Sequence, residues 1–294
     1  MSDPRTLAGD DPAAAVASAA RDALADCRAA GADPCLGTVL MSDDPADRAF
    51  MDRKHDRCAE EGVETRRVDV DSDAPAERCY RAVEDLASDP EVTAVFVQVP
   101  LPAHVDEAAV RRRVPPTKDV DCFHPENVGR LVAGDPRIEP VTPRAVCRML
   151  DHYDVPVAGR DAVVVGRSNA IGKPLAAMLL SADATVTVAH SRTRDLGAVT
   201  RRADLLVTAA GAPGLVDGSM VREGVVVVDV SANRVGGEGE TRVVGDVDAA
   251  SVAPEASALT PVPGGVGPVT IATLLENVAA VTATAAGVDV DYSR

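Results

Sequence analysis

The sequence predicts an α/β protein built from two domains. Short apolar runs rich in β-branched residues alternate with stretches of helical periodicity along most of the 294 residues. The runs are continuously apolar, which is typical of parallel strands covered on both faces. The rhythm breaks at the proline-rich stretch "GDPRIEPVTPRAV" (134–146) and then restarts, so we expect the boundary between two α/β units there.

Seven strands and three helices follow from this pattern. The predicted domains are residues 1–139 and 140–269, with a cleft between them and a C-terminal helix at about 270–294 that could pack on either unit. The strands are predicted at 36–41, 64–70, 92–98, 161–166, 184–190, 203–210 and 224–230, and the helices at 45–61, 75–88 and 267–286.

The composition argues against a nucleic-acid-binding, secreted or membrane-spanning protein. A net charge of −16 argues against a nucleic-acid-binding surface. The chain has 32 Asp, 14 Glu and only three Lys, a composition that either a high-salt host or a GC-rich genome explains. Six scattered cysteines predict free thiols in the cytoplasm and no metal site. Without a basic and apolar leader or 18 consecutive apolar residues, we expect no signal peptide and no membrane span.

The second unit contains a candidate dinucleotide site. Gly166 ends an apolar strand and Gly172 begins a helix, where a pyrophosphate would meet free N–H groups. The glycine motif is incomplete because Ser168 and Ile171 stand in glycine positions, so a purely structural turn is an equal alternative. The next strand is followed by "SRTR" (191–194), which favours a 2′-phosphate, and hence NADP, unless it is only a solvated turn.

The first unit contains one of the three lysines, Lys54. Asp44 is a plausible N-cap and Pro45 a plausible first residue of the helix that carries it. Phe50 and Lys54 are four residues apart and share a face, one turn after Asp47. The pair predicts a place for a flat substrate, although a core Phe beside a Lys at the surface would give the same spacing.

Two polar stretches could complete a site near Lys54. "FVQVPLP" (96–102) puts Gln98 at the carboxyl end of a buried strand, where α/β folds present ligand contacts. "PPTKDVDCFHPENVGRL" (115–131) contains Asp119 and Asp121 just before the boundary between the units. Each stretch taken alone could also be an ordinary loop after a strand.

Taken together, the motifs resemble the methylenetetrahydrofolate dehydrogenase/methenyltetrahydrofolate cyclohydrolase family, the bifunctional FolD-type enzymes. The matching stretches span about residues 36–277, and the combination of the first, second and last is highly specific. They are "VQVPLP", "KDVDCFHPENVGRL", "PVTPRAV", "VVVGRSNAIGKP", "VAHSRT", "ADLLVTAAG", "VVDVSANR", "VVGDVD" and "TPVPGGVGPVTIATLLEN". The stretch "DDPAD-x-x-FMDRK" (43–54), which contains Phe50 and Lys54, matches as well.

The resemblance implies a multifunctional oxidoreductase and hydrolase of one-carbon metabolism. NADP would accept a hydride from 5,10-methylenetetrahydrofolate, and the resulting 5,10-methenyl cation would be hydrolysed to 10-formyltetrahydrofolate, which serves purine biosynthesis. Residues 1–139 would be the folate-binding catalytic domain, residues 140–269 a Rossmann-like NADP-binding domain, and the tail helix would pack on the former. The resemblance also implies a cytoplasmic homodimer.

The resemblance further implies three groups of site residues. The catalytic group is Lys54, Gln98, which orients it, and Asp121, which binds the pterin. The substrate group is Phe50, Val99, Leu101, Pro263, Gly264 and Gly265. The cofactor group is Gly166, Arg167, Ser168, Ile171, Gly172, Ser191, Arg192 and Ala210.

The chain departs from the family pattern at four positions. Phe50 replaces a tyrosine and so lacks the hydroxyl that would contact the lysine, while Cys122 and Ser231 replace glycines and Asp47 a common serine. Three alternatives follow: a dehydrogenase with weak or absent cyclohydrolase activity, a cofactor-binding protein without catalysis, or another NADP-dependent two-domain dehydrogenase of the shikimate or amino-acid type.

Overall fold

A computed structural model describes residues 3–236 and 242–288, and these form two compact units. Of the described residues, 15–141 and 271–288 form the first unit, and 3–14, 142–236 and 242–270 form the second. The last predicted helical residues, 289–294, lie outside the described residues.

The first unit is built on a parallel sheet of three strands. Its strands are β2 (Cys35–Leu40), β3 (Glu64–Asp69) and β4 (Ala94–Val97), in the order β3-β2-β4. Every residue of β2 and β4 is buried, as expected for continuously apolar strands with helices on both faces. At the carboxyl end of β4, the buried strand is directly followed by the polar residue Gln98.

Helix α2 (Pro45–Glu60) begins where its sequence predicts. The Asp44 side chain accepts a hydrogen bond from the Ala46 N–H at 2.7 Å, and Pro45 occupies the first turn. The other helices of this unit are α3 (Ala76–Ser88), α4 (Glu107–Arg111), α5 (Pro125–Val132) and most of α1 (Asp10–Ala29).

The last helix, α10 (Val266–Ala286), is tied to the first unit by its second half. Buried Asn277 donates from Nδ2 to the carbonyls of Val120 and Glu139, at 2.7 and 2.8 Å. The Cys27 thiol on α1 donates to the carbonyl of Ala279 at 3.5 Å. These contacts account for the grouping of residues after 270 with the first unit.

Helix α10 is long and apolar enough to cross a membrane. One such helix is weak evidence for a membrane span, and 78% of its most apolar 18-residue window is buried. Thr270, Thr273, Glu276 and Asn277 interrupt it, which is why its sequence shows no continuous apolar run. Burial of this degree is typical of a helix in a protein core.

The second unit is built on a parallel sheet of six strands. The strand order is β1-β11-β8-β7-β5-β6, and all neighbouring pairs are parallel. The strands are β1 (Arg5–Thr6), β5 (Asp161–Val165), β6 (Thr185–Ala189), β7 (Leu205–Thr208), β8 (Val225–Asp229) and β11 (Ala256–Leu259). The helices are α6 (Val141–His152), α7 (Gly172–Ser181), α8 (Leu196–Thr200) and α9 (Ala249–Val252), and the hairpin strands β9 (Asn233–Val235) and β10 (Arg242–Val244) pair antiparallel.

The N-terminus lies with the second unit, whereas the sequence-based boundary at residue 139 put it with the first. Arg5 and Thr6 pair with Ala258 and Leu259 as a sixth parallel strand. Leu7 is fully buried in the core beneath that sheet. A strand of two residues has too few positions to show a periodic pattern, so the sequence gives no signal for it.

The contact made by Asn277 yields a stability prediction. Replacing Asn277 with Ala leaves the carbonyls of Val120 and Glu139 without this donor, and we expect the free energy of unfolding to fall by about 2 kcal/mol. Thr284→Ala, on the exposed last turns of the same helix, is the control and should change it by less than about 0.5 kcal/mol. Urea denaturation of both variants measures the difference, and equal values would show that Asn277 does not anchor the helix.

Candidate active site

Lys54 lies inside the first unit rather than at its surface. Its side chain is on α2 and only 2% of the residue is exposed. The ammonium Nζ donates a hydrogen bond of 2.9 Å to Oε1 of Gln98, which directly follows β4. The Gln98 amide is held in turn, because its Nε2 donates to the Val99 carbonyl at 3.0 Å. The predicted pairing of Lys54 with Gln98 is therefore present in the structure.

Two aromatic rings face the same ammonium. Nζ of Lys54 lies 4.3 Å from the ring centroid of Phe50 and 3.9 Å from that of Phe96. Both distances are within the range in which a ring face attracts a cation. Phe50 was expected from its helical spacing, but Phe96 was not predicted as a site residue. The signal was its position two residues before Gln98, because alternate residues of a strand share a face.

His55 fixes the orientation of α2 against the sheet. Its Nε2 hydrogen bonds with Oγ1 of Thr38 on β2, and its Nδ1 with Oγ1 of Thr65 on β3, both at 2.9 Å. Burial lowers the pKa of His55, so the neutral ring is favoured between the two hydroxyls. Lys54 is thus presented by a helix that is fastened to two strands.

Asp121 lies in a loop shaped by a second carboxylate, that of Asp119. Asp119 is fully buried and accepts hydrogen bonds from the backbone N–H groups of Asp121, Phe123 and His124 and from Nδ2 of Asn127, all within 3.1 Å. Asp121 itself accepts a bond of 2.8 Å from the Val141 N–H. Asp119 therefore has a structural role, which leaves Asp121 as the carboxylate available to a ligand.

The next residue, Cys122, has an unusual backbone conformation. Its φ is 50°, in the left-handed region that favours glycine, and its side chain is buried. Burial raises the pKa of its thiol well above the usual range, which leaves the thiol protonated and unreactive. At the position where the resemblance implies glycine, Cys122 therefore has a backbone conformation that glycine adopts readily.

Burial shifts the pKa values of both Lys54 and Asp121 toward neutrality. It lowers the pKa of Lys54 from 10.5 to about 7, against the opposing effects of Asp121 and Asp47. It raises the pKa of Asp121 from 3.8 to about 7, against the hydrogen bond from the Val141 N–H. Near pH 7 both groups can therefore exchange protons, as acid–base chemistry requires.

The predicted substrate positions fall in both units. In the first, Val99 and Leu101 follow Gln98 as partly buried side chains packed against the core of that unit. In the second, Pro263, Gly264 and Gly265 form the turn before α10, and the Gly264 carbonyl accepts a 2.7 Å bond from the Gly9 N–H.

The turn from β5 into α7 has the shape of a dinucleotide-binding turn. Gly166 has a φ of 137°, and a Cβ at Gly172 would lie 2.3 Å from the Gly166 carbonyl oxygen, so no side chain fits there. Arg167 and Ser168 are exposed at this turn. The Ser168 hydroxyl accepts bonds from the N–H groups of Ile171 and Gly172, at 3.1 and 3.3 Å, and so caps the helix start.

The residues predicted to bind the 2′-phosphate follow β6. Ser191, Arg192 and Arg194 are exposed, and the turn is held by the His190 N–H, which donates to Oγ1 of Thr193 at 2.9 Å. The Arg192 N–H donates to Nδ1 of His190 at 3.2 Å. No carboxylate stands among residues 190–194, where an NAD site would place one.

Asp246 organises the loops that carry Ala210, a role the sequence did not predict. Its fully buried carboxylate accepts bonds from the N–H groups of Ala210, Gly211 and Ala212, after β7, at 2.6, 3.2 and 2.7 Å. It also accepts from the Ser231 hydroxyl and from Nδ2 of Asn233, after β8. The loops at the carboxyl ends of two neighbouring strands are thus held by one carboxylate.

The described part of the chain contains neither a disulfide nor a cluster of metal-ligating side chains. All six cysteines are free. Within residues 3–236 and 242–288, no group of three or more His, Cys, Asp or Glu side chains is arranged to hold a metal ion.

Both units match the models of one protein family. The catalytic-domain model of tetrahydrofolate dehydrogenase/cyclohydrolase matches residues 7–121, and its NAD(P)-binding-domain model matches residues 140–286. The chain belongs to the tetrahydrofolate dehydrogenase/cyclohydrolase family. The bifunctional protein FolD of Natronomonas pharaonis is 54% identical over 273 residues, which cover 90% of this chain and 92% of that relative.

Solved structures of the family are similar to this chain over nearly their whole length. The FolD methylenetetrahydrofolate dehydrogenase/cyclohydrolase of Campylobacter jejuni is 38% identical with a TM-score of 0.88, covering 95% of this chain and 99% of that one. The Trypanosoma brucei enzyme, solved with NADP cofactor and an inhibitor, is 34% identical with a TM-score of 0.91, covering 97% and 99%. The resemblance found in the sequence motifs is confirmed, and a shikimate-type dehydrogenase is not favoured.

The charge of Lys54 yields a prediction about stability and pH. Because the folded pKa, about 7, lies below the unfolded value of 10.5, the buried ammonium destabilises the fold fully below pH 7. That destabilisation disappears as the pH rises from 7 to 10.5. We therefore expect Lys54→Met to raise the free energy of unfolding at pH 6.5 by roughly 3 kcal/mol and by much less at pH 10.

Denaturation of wild type and variant at both pH values measures this difference. The matched control is Lys118→Met, because Lys118 is less buried and its ammonium donates to the carbonyls of Ala87 and Asp89. This control should destabilise the fold at pH 6.5. A Lys54→Met variant that loses stability at pH 6.5 would contradict the buried cation.

Proposed function

We propose that this chain oxidises 5,10-methylenetetrahydrofolate to the 5,10-methenyl form with NADP, and hydrolyses that product to 10-formyltetrahydrofolate. The observation that carries the proposal is the desolvated Lys54, paired with Gln98, in a chain of this family. The named relatives and solved structures are bifunctional enzymes, which supports both steps.

Lys54 suits the hydrolytic step because its pKa of about 7 leaves much of the amine free at neutral pH. Addition of water to the methenyl cation requires a base for the water proton, and ring opening requires a proton for the departing nitrogen. The free amine takes the first proton, and the ammonium so formed returns one. The Gln98 amide oxygen keeps Nζ in place during both transfers.

Asp121 suits the binding of the pterin ring. Its partly buried carboxyl has a pKa raised by desolvation, so hydrogen bonds from a donor-rich pyrimidine edge would stabilise its charged form. Phe50 would offer a ring for stacking, and Val99 and Leu101 would offer apolar contacts. Pro263, Gly264 and Gly265, in the turn before α10, are the other proposed substrate positions.

The second unit fits a dinucleotide at three places. Gly166, Arg167, Ser168, Ile171 and Gly172 form the glycine turn at the start of α7, Ser191 and Arg192 follow β6, and Ala210 follows β7. NADP, when bound, supplies the hydride acceptor. The chain's own part is to hold the nicotinamide and the folate in a near-attack arrangement, and Asp246 fixes the backbone on which Ala210 depends.

The proposal extends to the setting of the enzyme. We expect a cytoplasmic homodimer with tetrahydrofolate derivatives as partners, without nucleic acid or membrane contacts, that supplies 10-formyl groups to purine biosynthesis. The acidic surface with few lysines is suited to high salt, so assays should cover a range of salt concentrations.

One assay tests the function. Purified protein is given 5,10-methylenetetrahydrofolate with NADP or NAD, at low and high salt, and methenyl formation and decay are followed by absorbance. We expect both formation and accelerated decay with NADP. Absence of a methenyl signal with either cofactor at every salt concentration would refute the function, and decay no faster than in buffer would restrict it to the dehydrogenase.

The role of Lys54 as base predicts the result of Lys54→Arg. Arginine keeps the positive charge but does not release a proton at ordinary pH, so we expect methenyl hydrolysis to fall by at least about 100-fold. The control is Lys118→Arg, which retains charge and donors at a lysine bonded to backbone carbonyls and should hydrolyse at the wild-type rate. A Lys54→Arg variant with wild-type hydrolysis would disprove the assignment.

The role of Arg192 predicts a change in cofactor preference. Removing its guanidinium from the predicted 2′-phosphate site should raise the KM for NADP by about tenfold, since a charge-assisted bond is lost, and leave that for NAD nearly unchanged. Arg160→Ala is the control, because exposed Arg160 precedes β5 at the opposite end of that strand. Equal effects of Arg192→Ala on both cofactors would mean that Arg192 does not read the phosphate.

A further inference from the structure

The Lys54 ammonium faces two aromatic rings in a chain that has few aromatic residues. The sequence contains only three phenylalanines, and two of them, Phe50 and Phe96, face Nζ at 4.3 and 3.9 Å. The third, Phe123, has the guanidinium of Arg111 over its ring at 4.1 Å. Phe96 makes the shorter of the two contacts with Lys54, yet the proposed mechanism gives it no role.

The position of Phe96 follows from the alternation of β4. Phe96 and Gln98 are two residues apart, so one edge of the sheet supplies both a ring face and an amide oxygen to Nζ. Phe50 supplies its ring from α2, one turn before Lys54. Phe96 is 94% buried, so little water reaches its ring to compete with it for the ammonium.

The charged groups around Lys54 do not by themselves offset its burial. Asp121 and Asp47 favour its charged form, Arg53 disfavours it, and the Cys58 thiol is kept neutral by burial. Asp119, beside Asp121, is occupied by four hydrogen bonds of its own loop. A ring face attracts the ammonium and not the neutral amine, and it does so without offering a proton acceptor.

We propose that Phe96 is a positioning residue that holds the Lys54 ammonium against its ring face, with Phe50 as the second face. The two rings restrict Nζ to the position from which it reaches Gln98, and they favour the charged form over the free amine. The consequence for catalysis rests on the proposed function. If Lys54 is the base of the hydrolytic step, Phe96 sets the pH at which the free amine becomes available.

The decisive change is electronic rather than steric. Replacing Phe96 with 3,4,5-trifluorophenylalanine keeps the ring nearly the same size but removes the negative potential of its face. We expect the pKa of Lys54 to fall by roughly 0.5 to 1 unit, because the charged form loses its partner and the neutral form loses nothing. Phe96→Leu should shift the pKa in the same direction.

The pKa can be followed without substrate because the chain has only three lysines. Protein labelled with ¹³C-lysine gives three Cε signals, and the Lys54 signal is the one missing from Lys54→Arg. The matched control is the same fluorinated residue at Phe123, whose ring faces an arginine that does not titrate, and this variant should leave the Lys54 pKa unchanged. An unchanged Lys54 pKa after fluorination at Phe96, or an equal fall after fluorination at Phe123, would overturn the inference.

The pH profile of methenyl hydrolysis then separates this inference from the proposed function. When both hold, the midpoint of the rising limb moves to lower pH by the same amount as the Lys54 pKa. A wild-type protein without hydrolytic activity would refute the function, and the NMR titration would still decide the role of Phe96. A midpoint that stays fixed while the NMR pKa falls would overturn the catalytic consequence.

Discussion

The burial of one ammonium group is the constraint on which the first unit depends. An amine removed from water is stable as a cation only with partners, and here desolvation outweighs the partners, since the pKa of Lys54 falls to about 7. The partners come from different elements: Gln98 follows β4, Phe96 lies on it and Phe50 lies on α2. His55, bonded to β2 and β3, keeps that helix in register with the sheet.

In the second unit, the corresponding constraint is that backbone N–H groups in the loops after parallel strands need hydrogen-bond acceptors. Ser168 accepts two of them at the start of α7, and Asp246 accepts three after β7. Both are short polar side chains that hold loops close to where a dinucleotide would lie. Both loops are thus held by side chains of the chain itself, and a loop that is already held loses less entropy when a ligand binds.

The sequence predicts those features that depend on local spacing. Continuous apolar runs gave the two parallel sheets, and the four-residue spacing gave the shared face of Phe50 and Lys54. It could not give the role of Asp246, whose backbone N–H donors stand 34 to 36 residues away, or the pairing of Arg5 with Ala258. Phe96 was predicted only as part of a buried strand; its contact with the Lys54 ammonium becomes apparent once α2 is placed on the sheet.

The net charge of the chain and the desolvation of Lys54 affect the pKa of this lysine over different distances. A net charge of −16 attracts protons and so raises the free energy needed to remove one. By itself it would therefore raise the pKa of a lysine. Its effect is screened over about 10 Å at 0.1 M salt and about 3 Å at 1 M, whereas desolvation is local and independent of ionic strength. Lys54 therefore keeps a depressed pKa inside an acidic protein, and this is compatible with a surface adapted to high salt. Such a surface can hold few lysines while the interior retains the amine of Lys54, on which the proposed hydrolysis depends.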